Sequence, residues 1–460
     1  MSNFDAFEIK MRAASMGDAA VRAFQRNYDA LVRDEAGMIP EETISTVNSI
    51  ENYESIRNTA VNPSLLGKAV VIKLNGGLGT SMGLQGPKSL LPVRDGLTFL
   101  DLIVRQILEL RGSTQCHTRM LLMNSFSTSQ ATLNHLERYR AEGLADAAEV
   151  ELMQNQIPKI NAATLQPAEW PADPSLEWCP PGHGDLYPAL VGSGWLERLL
   201  DSGVNYAFVS NSDNLGAVPD PALLTHFANS GAPFLMEVTR RTAADRKGGH
   251  LALRKNDGRL LLREVAQCPE ADLDAFQNID VHRYFNTNSL WLRLDMLHEQ
   301  LAANGGVLPL PMIRNRKTLD PRDPASQSVY QLETAMGAAI ECFVGATAIE
   351  VPRSRFAPVK TTADLLALRS DAYEILADGQ VALHPSRNSQ PPMIRLSKEY
   401  QTIDALSSLG VPSLRDCKSL TVEGPLSFAN GVILHGKVSI KTTSHATLAP
   451  GVYRDMEVAF

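Results

Sequence analysis

Residues 68 to 89 read Lys68-Ala69-Val70-Val71-Ile72-Lys73-Leu74-Asn75-Gly76-Gly77-Leu78-Gly79-Thr80-Ser81-Met82-Gly83-Leu84-Gln85-Gly86-Pro87-Lys88-Ser89. No other stretch restricts the fold so strongly. Its first part is β-branched and apolar enough for a buried strand. Its second part is a glycine-rich loop that ends on a lysine. Glycine lets the main chain reach positive φ and lets a ligand come close. Successive N–H groups in such a turn make a concavity for anions, and the lysine adds a point charge for phosphate. The pattern predicts a nucleoside-triphosphate site at the end of a strand.

Two familiar glycine loops do not fit. A Walker A loop needs Gly-Lys-Ser/Thr in direct succession, but Pro87 separates Gly86 from Lys88 and has no N–H to offer. A dinucleotide fingerprint needs G-x-G-x-x-G, and Gly83 lies one residue too far from Gly79. The run Leu-Asn-Gly-Gly-Leu-Gly-Thr-Ser-Met-Gly, followed by Gly-Pro-Lys-Ser, instead resembles the signature of the eukaryotic-type UTP–glucose-1-phosphate uridylyltransferase (UDP-glucose pyrophosphorylase) family. The resemblance implies an α/β fold: a mixed, mostly parallel nucleotidyltransferase (Rossmann-like) sheet with a small C-terminal β-helix domain. It also implies UTP and glucose 1-phosphate as substrates and Mg²⁺ as cofactor.

At 460 residues the chain suits two or three domains. A net charge of −8 argues against nucleic-acid or anionic-membrane binding, so any cations that hold polyphosphate must be placed locally. The cysteines (Cys116, Cys179, Cys268, Cys342, Cys417) are scattered and odd in number, which disfavours a disulfide framework or a structural zinc. No signal-peptide core and no membrane-length apolar run is visible, so the expected compartment is the cytoplasm.

Along the chain, residues 1–60 form an N-terminal helical segment, with Phe7, Met11, Ala14, Val21, Phe24 and Leu31 at helical spacing and a connecting loop after residue 45. Residues 61–383 alternate strand and helix. Strands are expected at 119–123, 150–153, 206–210 and 234–240, and helices at 97–111, 128–139, 195–200 and 221–229. Such alternation implies a mostly parallel sheet covered on both faces. A hairpin about Asn256-Asp257-Gly258 follows. Strands at 289–294 and 340–351 read as insertions and edge strands, separated by a loop over 309–325, and a helix spans 362–376. Residues 384–460 form the last unit. There Leu420/Val422, Leu426/Phe428, Val432/Leu434 and Val438/Ile440 recur at about six residues, with Gly424, Gly431 and Gly436 at turns. That period suits a short β-helix, with a plain antiparallel module as the alternative. In relatives such a tail carries subunit contacts, so a homo-oligomer through it is a further expectation.

Seven further stretches carry the resemblance. Each has its own chemistry. Gln154 follows a strand, and its amide offers a donor and an acceptor to a uracil edge. Pro180-Pro181-Gly182-His183-Gly184-Asp185 is a rigid turn that lets a ligand lie on the backbone. Ser210-Asn211-Ser212-Asp213-Asn214-Leu215-Gly216 ends a buried strand, where open α/β sheets bind ligands. A hard carboxylate there suits Mg²⁺, which takes few protein ligands; an Asx-turn is the alternative. Gly249 allows a second close approach. Glu264 suits sugar hydroxyls, and Asn286 and Asn288, two apart, point to one side of a strand. Arg353 to Thr362 is a basic loop in an acidic protein.

By resemblance, Leu74, Asn75, Gly76, Gly77, Lys88, Gln154, Gly182, Asp213 and Lys360 bind the nucleotide. Gly76, Gly77, His183, Asn211, Ser212, Asp213, Gly249, Glu264, Asn286 and Asn288 bind the sugar phosphate. Asp213 holds the metal, and Lys88 and Lys360 are catalytic, facing each other across the phosphates. His183 contributes hydrogen bonding and charge stabilisation. The implied reaction is in-line attack of the sugar-phosphate oxygen on the α-phosphorus of UTP, without a covalent intermediate. A pyrophosphorylase for N-acetylhexosamine 1-phosphate or several sugar 1-phosphates shares these loops. A non-catalytic nucleotide-sugar sensor is an alternative of another class. A P-loop kinase is disfavoured by Pro87.

Overall fold

The Ala69–Asn75 strand lies deep in an eleven-stranded mixed sheet. The structure, a computed structural model, describes residues 4–35, 37–388 and 390–460, so the first three residues of the expected N-terminal segment, Ala36 and Ser389 of the expected linker lie outside it. The main path runs Glu51–Asn52, Thr347–Glu350, Phe234–Arg240, Tyr284–Arg293, Tyr206–Asn211, Ala69–Asn75, Arg119–Asn124, Glu151–Met153. Neighbours are parallel, except that Tyr284–Arg293 is antiparallel to both strands beside it. The continuous apolar run of the Ala69–Asn75 strand is explained by cover on both faces. Val70 and Ile72 pack with Ala207, Val209 and Met236 on one side. Val71 packs with Phe208, Leu235 and Trp291 on the other.

Tyr284–Arg293 corrects the expectation of edge strands in this region. It begins earlier than residue 289, is buried on both faces and sits in mid-sheet. Because it runs against its neighbours, its beginning lies where theirs end. Val209 opposite Leu290 brings Asn288 nearly level with Asn211. The expected hairpin is present as His250–Arg254 paired with Leu260–Arg263.

Three other expectations change. The 309–325 loop contains Met312–Thr318, a strand paired with Ser328–Thr334. The strand expected over 340–351 is a 3₁₀ turn at Met336–Cys342 and a short strand at Thr347–Glu350, separated at Gly345 with φ +82°. The helix expected to residue 376 ends at Arg369, and Tyr373–Ile375 pairs with Val381–Leu383 around Asp378-Gly379.

The N-terminal helices Asp5–Ala13 and Asp18–Val32 pack Phe4, Phe7, Phe24 and Tyr28 against Ile157, Cys179 and Leu332. At the other end, Met393–Leu396, Ser413–Glu423, Val432–Lys441 and Gly451–Ala459 pair in parallel, as do Leu426–Phe428 and Ala446–Leu448. These parallel pairings replace the antiparallel alternative. The four apolar pairs read from the sequence are all buried. Gly436 sits inside a strand at a register shift rather than at a turn. One apolar cluster runs from Phe99 and Val104 through Leu366 to Leu414, Leu420 and Ile440, so the C-terminal strands share a core with the sheet. Among the described residues no helix is long and apolar enough to cross a membrane.

Candidate active site

The glycine loop leaves the Ala69–Asn75 strand and closes on itself through main-chain bonds. Gly79 N donates to Gly86 O at 3.2 Å, Leu84 N to Gly79 O at 3.0 Å, and Lys88 N to Gly77 O at 3.2 Å. Asn75 is buried, and its amide donates to Asn124 Oδ1 at 2.7 Å and Thr132 Oγ1 at 3.0 Å. Its Oδ1 is buried without a hydrogen-bond partner among the described residues. Gly76 lies close under Gln154: a Cβ there would sit 2.5 Å from Gln154 Oε1 and push that side chain aside.

Gln154 is anchored twice. Its N–H donates to Asn124 O at 2.7 Å and its side-chain Nε2 to Gly182 O at 3.0 Å. It thus joins the end of the Arg119–Asn124 strand to the Gly182–Asp185 turn. Gly182 takes φ +80°, and a Cβ on it would meet Thr334 O at 2.6 Å. His183 Nδ1 accepts from Met336 N at 3.0 Å, which leaves the ring proton on Nε2. Burial pulls its pKa down to about 4, so the ring is neutral at physiological pH. In that state His183 has its Nε2–H free to act as a neutral donor. Next to it, Asp185 accepts from Asn155 N at 2.7 Å and Asn155 Nδ2 at 3.0 Å, while burial pushes its carboxyl up to about 7.

Asp213 occupies the turn after the Tyr206–Asn211 strand. Its Oδ2 accepts from Lys88 Nζ at 2.6 Å. Its Oδ1 is buried without a hydrogen-bond partner among the described residues. The turn is tied to the basic loop. Val359 N donates to Asp213 O at 3.1 Å, Asn214 Nδ2 to Arg355 O at 3.0 Å, and Ala357 N to Asn214 Oδ1 at 3.0 Å. Lys360 is thereby delivered next to Asp213, with its side chain exposed. Its charge opposes the rise that burial imposes on the Glu264 carboxyl. Ser212 N donates to Leu74 O at 3.1 Å, which joins the two strand ends that carry Asn211 and Leu74.

The Gly249 side is equally tight. A Cβ on Gly249 would lie 2.5 Å from Glu264 Oε1, and Gly249 O accepts from Asn286 N at 3.1 Å. Asn286 and Asn288 meet, but not through regular strand alternation. The strand bulges here, Asn288 takes φ +57°, and Asn286 Nδ2 donates to Asn288 Oδ1 at 2.9 Å. Asn288 N returns a bond to Asn286 Oδ1 at 2.9 Å.

Beneath these groups lies a buried charged network that sequence reasoning missed. Lys73 Nζ donates to Ser210 Oγ at 2.8 Å and Ala217 O at 2.6 Å. Burial pulls its ammonium down to about 7, helped by Arg355 and opposed by Glu237 and Asp213. Arg355 donates to Glu237 through Nε and Nη2, both at 2.8 Å, and Trp291 Nε1 donates to Glu237 at 3.0 Å. A charged residue inside the apolar run at 69–74 was the available signal.

The donor set can be tested against Mg²⁺. Among the described residues no group of three or more His, Cys, Asp or Glu is placed to hold a metal. Mg²⁺ needs only one or two carboxylates when phosphates and waters complete its shell. The unpartnered Oδ1 of Asp213 fits that requirement.

Comparison with known proteins shows the family. A family model described as UTP–glucose-1-phosphate uridylyltransferase matches residues 21–435. The chain is 42% identical over 406 residues to the UTP–glucose-1-phosphate uridylyltransferase of Solanum tuberosum, covering 86% of this chain and 82% of that one. It is 41% identical over 396 residues to the Saccharomyces cerevisiae protein of the same name, covering 85% and 78%. It superposes with a TM-score of 0.94, at 46% identity, on a variant of the UDP-glucose pyrophosphorylase of Leishmania major solved with UDP-glucose, covering 100% and 99%. This chain belongs to the UTP–glucose-1-phosphate uridylyltransferase family.

Proposed function

We propose that the protein catalyses UTP + α-D-glucose 1-phosphate ⇌ UDP-glucose + pyrophosphate. The observation that carries this reading is the family's glycine loop with Lys88 bonded to Asp213 at 2.6 Å and the Lys360 loop tied to that same aspartate. Main-chain groups of Leu74, Asn75, Gly76 and Gly77 cradle the nucleotide. Gln154 reads the uracil edge against Gly182. His183, through its Nε2–H, with Asn211, Ser212 and Gly249, orients the sugar phosphate. Glu264, Asn286 and Asn288 bond the hexose hydroxyls.

The sugar-phosphate oxygen attacks the α-phosphorus, a new P–O bond forms, and the bond from that phosphorus to the bridging oxygen of pyrophosphate breaks. The attacking oxygen is already ionised, so no base is needed, and neutral His183 is suited to donating rather than accepting. Catalysis is positioning plus charge neutralisation by Lys88 and Lys360. Mg²⁺ held by Asp213 would supply further neutralisation of phosphate charge.

We also read residues 384–460 as coils of a short β-helix, able to pair subunits, after the helical 1–60 segment and the 61–383 catalytic unit. The free cysteines fit a reducing cytoplasm. The test is release of pyrophosphate, followed by a coupled assay, with UTP and a panel of sugar 1-phosphates. Turnover with glucose 1-phosphate is expected. Nucleotide binding without pyrophosphate release would leave a sensor instead.

A further inference from the structure

The Lys73 side chain leaves the middle of the central strand on the face that carries Val71, and it is 1% exposed. An amine in such a place loses its water, a cost that its hydrogen bonds must offset. Its two bonds go to opposite ends of one feature. Ser210 Oγ is the last side chain before the turn that begins at Asn211, and Ala217 O lies just past the end of that turn at Gly216. Between them stand Asn211, Ser212 and Asp213. The turn is held from above by Val359 and by the Asn214 bonds to Arg355 and Ala357. From below, Lys73 catches both of its ends.

We infer that Lys73 is a positioning residue that pins the two ends of the Asn211–Ala217 turn and so sets where the Asp213 carboxylate stands. The inference rests on the reading of Asp213 as the metal-bearing carboxylate. Lys73 touches no substrate and acts through the turn. Its loss therefore moves Asp213 without removing it. Such a shift degrades turnover and cation affinity together, since misplacement of about 1 Å can cost about a hundredfold in rate.

The experiment compares the full-length Lys73→Met, Ser210→Ala and Asp213→Asn proteins. Met keeps the length of the stem and removes both bonds. Ser210→Ala removes one anchor with a minimal change of volume. Each variant is checked for folding by its thermal transition. Rates with UTP and glucose 1-phosphate are measured, and Mn²⁺ affinity is read by electron paramagnetic resonance with UDP-glucose bound. The expected result is a fall in kcat of about thirtyfold or more for Lys73→Met and about threefold for Ser210→Ala, on the same misplacement argument, each with weakened Mn²⁺ binding. A merely structural lysine would lower the transition temperature and leave the kcat and Mn²⁺ affinity of the folded protein unchanged, which overturns the inference. If Lys73→Met does not fold, Ser210→Ala decides by the same two readouts. Asp213→Asn separates the two levels. Should it keep full turnover, the reading of Asp213 fails and this inference with it. Should it lose turnover while the other two variants keep theirs, only the inference about Lys73 fails.

Discussion

Asn75 is buried, and its Nδ2 is spent on Asn124 and Thr132 inside the protein. Lys360 differs. Its side chain is exposed and its backbone N–H is capped by Asp364 at 2.9 Å, so its ammonium is not packed into the core and acts through its charge beside Glu264. Lys360→Ala should therefore melt within about 0.5 kcal/mol of wild type, and its kcat should fall about a hundredfold, by analogy with the loss of one transition-state donor. Near-normal turnover of the folded variant would refute the catalytic assignment. His183 makes a pH statement. Its pKa is about 4 in the fold and 6.5 as the unperturbed value. The unfolded chain thus takes up the proton first as pH falls, and the stabilisation present above pH 6.5 is lost between there and about 4. A His183→Gln variant has no such group. The stability gap between wild type and variant should shrink over that window, as read by urea unfolding at several pH values. A gap that stays constant would show that the imidazole is not held neutral. The other buried titratable groups are common to both proteins and cancel.

At the level of elements, what could be read was what is local. Asn256-Asp257-Gly258 announces its hairpin because a two-strand turn is written in its own residues. The strand at Met312–Thr318 is not, since Arg314, Asn315, Arg316 and Lys317 have weak strand preference and are held extended by Ser328–Thr334. The Asn286–Asn288 pair shows the same limit. Asn286 and Asn288 were rightly paired, but by an alternation rule that the bulge breaks. The left-handed Asn288 brings the amides together instead, a conformation asparagine tolerates better than most residues. Lys73 shows the opposite failure: the signal was present, and it was absorbed into an apolar strand. Two predictions belong here. Gly249→Ala drives its Cβ into Glu264, so KM for glucose 1-phosphate should rise about tenfold while KM for UTP holds, on the misplacement argument. An equal rise in both would detach Glu264 from the sugar. Arg355→Met leaves Glu237 buried and unpaired, which should cost about 3–5 kcal/mol in chemical unfolding. A loss under about 1 kcal/mol would mean the pair is not desolvated as described.

Over the whole molecule, the alternation of strand and helix foretold a mostly parallel sheet, but it could not foretell the reversed strand in its middle. That strand is long and buried on both faces, which is also how a parallel strand sits in such a sheet. Its reversal lets Asn286 and Asn288 stand beside Asn211 at one edge of the sheet's strand ends. The same edge holds Lys88 against Asp213 at 2.6 Å, and this contact bears on the order in which ligands settle. Without ligand the two charges cancel one another. On the proposed roles, a phosphate must take the ammonium and a cation must take the carboxylate, a double change of partners. A bare nucleotide could make only half of it and would confront a freed anion with its own. UTP and Mg²⁺ should therefore each bind more tightly in the presence of the other, by equal factors. Equilibrium dialysis of UTP with and without the cation would show this mutual dependence, and independent binding would mean that the handover at Lys88 and Asp213 does not occur.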